Sequence, residues 1–375
     1  AVDPRRSGAV RSQQPQVKLI NEYKKANAAL EPFAAADILM PAGKRTLSQW
    51  VKFANSLRLR LAIRVSMSAP DLARAEVAKA MDATAGGVLE SADETVAVST
   101  ESGYKNPLGT VNEGWGEVFM GATMESVLVG YNDPRLIKYY SKAEGGDIKD
   151  EKGNLIIAER NKIAGTYKGV PQGTGVTVKD ENRYRLHSKS TITKQTDAIL
   201  MTAAEVWFLR AEAALRGFTS ENVKDCYEKG ITVSCQQWGV NVGDYLTSDA
   251  TPSDYVDAFE AKYDVKALIK VTPKWDGGAS PEEQLERILT QKWIACYPEG
   301  YEAWTEQRRT GYPQLFKVFV NNSGGAIDTN IRIRRLPYPS DIQKNNPTQY
   351  SALKKALGGE DNGGTRLWWD TGRNF

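Results

Sequence analysis

The sequence predicts a mainly α-helical protein in which tetratricopeptide-like helix pairs carry a loop-rich lobe. Two observations lead to that class. Side-chain caps stand directly before apolar stripes of helical period, and the long Gly-, Ser-, Thr- and Asn-rich stretches between them still carry large aromatics. Aromatics of that size argue against disorder in those stretches.

Each element follows from local signals. Thr46-Leu47-Ser48-Gln49 reads as a capping box, with Thr46 reaching the third amide and Gln49 reaching back. It predicts a helix to about Ser66 whose stripe is Trp50, Ala54, Leu57, Leu61 and Val65. Pro70-Asp71 starts a second helix through Leu72, Val77 and Met81, ended by Gly86-Gly87, so the two make an αα-hairpin. Asp133-Pro134-Arg135 is the cap and first turn of a short helix through Leu136 and Tyr139. Thr202-x-x-Glu205 opens another helix with the stripe Ala204, Phe208, Ala211 and Leu215, and Gly217 is placed to stop it. A short turn leads to a partner helix with Val223, Tyr227 and Ile231 inward. Small alanines facing an aromatic let two helices approach closely, which is the packing logic of tetratricopeptide-type repeats. Ser280-Pro281-Glu282-Glu283 begins a last long helix, broken near Pro298, resumed through Trp304 and stopped at Gly311. Residues 86–116, 145–196, 239–252 and 273–279 read as irregular.

Composition excludes several functions. A net charge of +3 over 375 residues gives no electrostatic reason to expect nucleic acid or an anionic membrane surface as partner. No apolar run approaches the length of a transmembrane helix, and Ala1-Val2-Asp3-Pro4-Arg5-Arg6 is not the start of a signal peptide. The single histidine, His187, excludes any two-histidine metal site, and with no acid close in sequence it reads as a packed or surface side chain. Cys226 and Cys235 are nine apart in one helix, about 13 Å, too far for a disulfide, so the three cysteines read as buried thiols. Gly169 to Gly175 lacks the Lys-Ser/Thr of a phosphate loop and reads as a turn. Glu302, Glu306 and Arg309 stand at one-turn spacings and read as an ion-pair network rather than a catalytic dyad.

Nine tryptophans remain to be assigned. Trp50, Trp207 and Trp293 lie in helical stripes and read as core, and Trp368-Trp369 as a pin for the tail. Trp115, Trp238 and Trp275, with Tyr104 and Tyr245, fall in or beside loops. Each could be core, or a platform on which the C–H face of a sugar stacks while polar neighbours take the hydroxyls.

An ordered series of motifs resembles the SusD/RagB nutrient-binding outer-membrane lipoproteins of Bacteroidetes. Trp50 to Arg64 is similar to that family's early helix, Asn132-Asp-Pro-Arg135 to its hallmark turn, and Leu200 to Gly217 to its central helix. Gln291-Lys-Trp-Ile294 and Glu302 to Pro313 resemble the late helix. Arg335-Leu-Pro-Tyr-Pro339, Asn345, Tyr350 and Leu367-Trp-Trp-Asp370 resemble the C-terminal signature, and the series runs from Tyr23 to Asp370. The resemblance implies a single SusD-like domain over residues 1–375, with the N-terminal part of the family fold missing from this sequence. It implies a non-catalytic protein on the cell surface, anchored in the outer membrane by a lipid on an N-terminal stretch absent here. Its role would be to capture oligosaccharide for a SusC-type TonB-dependent transporter. Peptide capture is the alternative, and an all-α glycoside hydrolase a further one. No cofactor, metal or catalytic residue is expected, and the candidate ligand-binding residues are Tyr104, Trp115, Trp238, Tyr245 and Trp275.

Overall fold

Helix starts set by side-chain caps organise the protein. The computed structural model describes residue 37 and residues 39–175 and 182–375. Tyr23, and the part of the 145–196 stretch at residues 176–181, lie outside the described residues. The Thr46 hydroxyl accepts from the Gln49 amide at 3.1 Å and opens α1, Leu47–Arg64. The box is half made: Gln49 does not reach back but donates its side-chain amide to the Glu94 carbonyl at 2.7 Å. The buried face of α1 is not the predicted stripe. Val51, Leu59, Ala62 and Ile63 are buried together with Asn55, Ser56 and Arg60, while Trp50, Ala54, Leu57 and Leu61 are only half-buried. The polar three are tolerated because each is bonded: Asn55 donates to the Ala85 and Gly87 carbonyls, Ser56 accepts from the Leu89 amide, and Arg60 pairs with Glu205. α2, Pro70–Ala80, lays Ala73, Val77 and Ala80 against α1 to complete the predicted hairpin.

The lobe that follows holds more helix than the sequence suggests. After strand β1, Val96–Val98, the chain forms α3, Pro107–Trp115, inside the stretch read as irregular. Its signal is Asn106-Pro107: the Asn106 side chain accepts from the Leu108 amide at 3.0 Å and proline takes the first turn. α4, Ala122–Gly130, was not expected, whereas α5, Leu136–Tyr139, was. The turn between them buries Arg135 completely against Asp133, with bonds of 2.9 and 2.6 Å to the two carboxylate oxygens. The same guanidinium donates to Ser234 and Gln291, tying the lobe to two later helices. β2, Ile148–Lys149, and β3, Leu155–Ile157, pair as a small hairpin, and β4, Ala198–Met201, runs antiparallel to β1.

The helical body then closes. Thr202 accepts from the Glu205 amide at the start of α6, Ala203–Leu215. α7, Val223–Gln237, packs on it closely because Gly230 has no side chain: a β-carbon there would stand 2.8 Å from the Phe208 ring. The capping box at Ser280 is complete and opens α8, Pro281–Ala295, which turns through a cis Tyr297–Pro298 bond into α9, Gly300–Thr310, stopped by Gly311 at φ +81. α10, Ser340–Asn345, and α11, Pro347–Leu357, complete the chain's helices. The Arg308 guanidinium lies over the Trp304 ring at 3.8 Å and the Trp369 ring at 5.0 Å, so the tail is pinned as expected. Cys226, Cys235 and Cys296 are free and buried.

The ion-pair network read from Glu302, Glu306 and Arg309 extends across four helices. Arg60 of α1 binds Glu205 of α6 at 2.7 and 2.5 Å. Lys292 of α8 stands 3.3 Å from Glu302 and 3.4 Å from Glu306 of α9. Arg309 reaches Glu306 and, at 2.7 and 2.8 Å, Glu212 of α6. Burial opposes ionisation of Glu302, but Lys292, Arg64 and Arg60 outweigh it and hold the carboxyl at about 2. Replacing Lys292 with methionine leaves these carboxylates buried without their shared cation. Urea denaturation should show a loss of roughly 3–5 kcal/mol.

His187 packs between Tyr184 and Phe259 at ring distances of 5.1 and 6.0 Å, and neither ring nitrogen has a hydrogen-bond partner among the described residues. Burial, then the Lys168 charge, push it from 6.5 down to about 3. Between those values the unfolded chain binds a proton that the folded one refuses, so stability falls as pH drops through that window. The melting temperature of His187→Leu should therefore gain on the parent progressively as pH is lowered from 6.5 towards 4.

Candidate functional site

The five aromatics singled out from the sequence do not converge. Trp115 is the last residue of α3 and is 62% exposed, while Tyr104, 37% exposed, precedes the same helix at its other end. Trp238 caps α7 and packs 4.7 Å edge-on against Tyr139 and 5.7 Å from Tyr297. Trp275 is half-buried, tilted 5.1 Å from Tyr227. Tyr245 is 4% exposed, donates to Asp133 at 2.7 Å and accepts from Gln291 at 2.8 Å. Of the two readings open to Trp238, Tyr245 and Trp275, core or platform, these three pack on neighbouring rings or, for Tyr245, complete the Arg135 cluster.

Trp115 stands at the edge of an open cleft of about 1020 Å³. One wall is the end of α3 with Glu117 and Phe119, the second is the β2–β3 hairpin with Lys149, Asp150, Lys152, Asn154 and Ile156, and the third carries Asn182, Arg185 and Lys189. Backbone contacts fix the first wall to the third. Asn112 donates to the Ser190 and Ile192 carbonyls at 2.7 and 2.9 Å, and Asn106 donates to the Thr196 carbonyl at 3.1 Å. Gly109 permits this docking: any side chain there would collide with the Thr193 backbone. Gly116, at φ +65, then turns the chain away so that the indole of Trp115 is left facing solvent. Asp150 closes the hairpin, its carboxylate accepting from the Lys152 and Asn154 amides and from the Asn154 side chain. A broad aromatic face ringed by amide, ammonium and carboxylate groups suits a ligand that is apolar on one face and rich in hydroxyls at its edge.

A second cleft, of about 720 Å³, lies where α8 and α9 meet the 315–333 segment. Trp293, Trp304, Met124, Phe316, Val318 and Val320 give it apolar walls, with Asn321, Asp328 and Arg332 at its margin. The Trp304 indole donates to the Ile333 carbonyl at 3.0 Å. Arg332 donates to Gln172 at 3.0 Å and to the Leu315 carbonyl at 2.9 Å, so its charge is engaged with the wall. Sequence reading missed this cleft. Trp293 sits in a stripe that reads as core, and the aliphatics leading into Asn321-Asn322-Ser323-Gly324-Gly325 carry no periodic signal. Among the described residues no group of three or more His, Cys, Asp or Glu is placed to hold a metal ion, and no helix is long and apolar enough to cross a membrane.

Stacked helix pairs bearing a loop lobe with an open aromatic cleft define a helical-repeat protein with a solvent-facing concave surface. The family model described as SusD-like, the SusD and RagB outer membrane lipoproteins, matches residues 15–370, and the chain belongs to that family as a single SusD-like domain. A SusD homologue from Bacteroides vulgatus is 49% identical at TM-score 0.85, with 96% of this chain and 70% of that one covered. A chitin-binding SusD homologue from Flavobacterium johnsoniae is 35% identical at TM-score 0.82, covering 96% and 70%. A SusD homologue from Bacteroides uniformis is 32% identical at TM-score 0.81, covering 96% and 71%. No curated protein sequence matches the chain.

The contrast between ring placements is testable by melting. Trp115→Ala should change stability by no more than about 0.5 kcal/mol, as for an exposed site. Trp238→Ala should cost about 3 kcal/mol, because its ring packs on two tyrosines.

Proposed function

We propose that this protein captures oligosaccharide at the cell surface without catalysis and passes it to a SusC-type TonB-dependent transporter. It would be held at the outer membrane by an N-terminal lipid anchor. The observation that carries the reading is Trp115, a 62% exposed indole at the rim of a polar cleft. Beside a polar cleft, such a ring offers a flat apolar face on which the C–H face of a sugar can stack. Membership in a family of outer membrane lipoproteins and the 35% identity to a chitin-binding homologue support the same reading. Tyr104, at the far end of α3, would touch only a ligand that runs past the helix.

Peptide capture is the second reading, favoured by the aliphatic side chains Met124, Leu315, Val318 and Val320 that line the second cleft. Aliphatic walls accept side chains better than they accept hydroxyl-covered rings.

Calorimetry with a panel of oligosaccharides should give binding that Trp115→Ala weakens by about 1–3 kcal/mol, by analogy with base–aromatic stacking. Chromatography after prolonged incubation should show the glycan unchanged. Hydrolysis products would restore the glycoside hydrolase reading. Peptide binding that Trp115→Ala leaves intact would favour the second cleft.

A further inference from the structure

The Trp115 cleft carries a cation beside its aromatic face that no carboxylate neutralises. Lys189 pairs with Phe119 through an antiparallel backbone bridge, and its carbonyl accepts from the Ser141 amide at 2.9 Å, so the side chain starts from a fixed point. Its ammonium lies 5.9 Å from the centre of the Phe119 ring. It also lies 4.0 Å from the place a β-carbon on Gly116 would occupy, directly after Trp115. Among the described residues, no ion pair or hydrogen bond engages the ammonium of Lys149, Lys152 or Lys189.

We infer that this cleft takes saccharides bearing a negatively charged group, a carboxylate or a sulfate on the ring, with Lys189 reading the charge while Trp115 stacks on the sugar. The inference rests on the glycan reading above and names its ligand class.

The charge balance of the lining supports it. Lys149, Lys152, Lys189 and Arg185 face Glu117, Asp150 and Glu151. Asp150 is turned back into its own hairpin, where three N–H donors occupy its oxygens. Arg185 is engaged with the Lys149 carbonyl, so Lys149, Lys152 and Lys189 are left to meet a ligand, against Glu117 and Glu151. A neutral ring laid over Trp115 offers the Lys189 ammonium only hydroxyl acceptors in place of its water, with no charge to match a compact and strongly hydrated cation. An anionic substituent at the ring edge returns a charge-assisted hydrogen bond. The place is also suitable: Lys189 is next to the platform but is not under it, so stacking and ion pairing do not compete.

The test compares tetragalacturonate and a sulfated chondroitin tetrasaccharide with chitotetraose and maltotetraose, on the parent chain and on Lys189→Met, Lys189→Arg and Trp115→Ala. Lys189→Met keeps the aliphatic stem over Phe119, and an unchanged melting curve confirms the fold. Support is tighter binding of either acidic glycan than of the neutral ones, weakened about fivefold by Lys189→Met and restored by Lys189→Arg. The parent's affinity for the acidic glycan should fall as salt is raised, and the Lys189→Met affinity should fall less steeply. Equal binding of neutral and acidic glycans, lost in Trp115→Ala and untouched by Lys189→Met, overturns the inference and leaves the glycan reading standing. Glycan binding that Trp115→Ala does not weaken overturns both.

Discussion

Ion pairs buried between α1, α6, α8 and α9 are the constraint on which the rest of the structure depends. Arg60, Lys292 and Arg309 are nearly inaccessible, as are Glu205, Glu212, Glu302 and Glu306. Each charge would be costly alone, and each is tolerated because it meets partners from more than one helix. Lys292 is shared by Glu205, Glu302 and Glu306, and Arg309 by Glu212 and Glu306. Small alanines and Gly230 let these helices approach, but apolar stripes alone would allow them to slide. A slide by one turn would separate the pairs that cross between helices, so these charges fix register where packing permits several.

The network passes its order to the lobe through α8. Gln291 lies one residue before Lys292 and accepts from Arg135, whose guanidinium also binds Asp133 and Ser234. Tyr245 closes the same cluster on Asp133. The turn before α5 is thereby held against α7 and α8. The extended segment 188–192 is bonded to Val118, Tyr139 and the α3 side chain Asn112. Trp115 and Lys189 thus inherit their positions from charges buried in the helical body. Rigidity of that kind is what a binding surface needs, because a site ordered beforehand loses less freedom when the ligand arrives.

What the sequence revealed and concealed follows the range of each interaction. Caps act over three residues, so Thr46, Thr202 and Ser280 announced their helices, and Gly311 its stop. Asn106-Pro107 gave the same kind of signal, but the Gly- and Thr-rich run around it masked a nine-residue helix. The inward face of α1 was misjudged because Asn55, Ser56 and Arg60 read as surface until their partners 30 to 145 residues away are seen. Glu306 and Arg309 could be paired from spacing alone, whereas Glu302, held by Lys292 and Arg64, and Glu212, 97 residues from Arg309, could not. For the aromatics, sequence gives the ring and its loop but not which side of the loop meets water. Tyr245 and Trp115 looked equivalent, and only the tertiary fold separates them.

Charge is used in two opposite ways in this molecule. In the helical body burial and the Glu205 charge push Glu299 up to about 8, whereas Glu212, Glu302 and Glu306 are each held below the usual carboxylate range by neighbouring cations, Glu302 at about 2. Groups fixed in that way are poor proton carriers near neutral pH, where general acid–base work needs a group that can exchange its proton. The sole histidine is buried and held neutral, and so adds no proton carrier either. In the cleft the reverse holds: Lys149, Lys152 and Lys189 are accessible, hydrated and uncommitted, beside a ring that is equally uncommitted. A surface of open donors beside an open aromatic face can offer a ligand both stacking area and charge-assisted contacts.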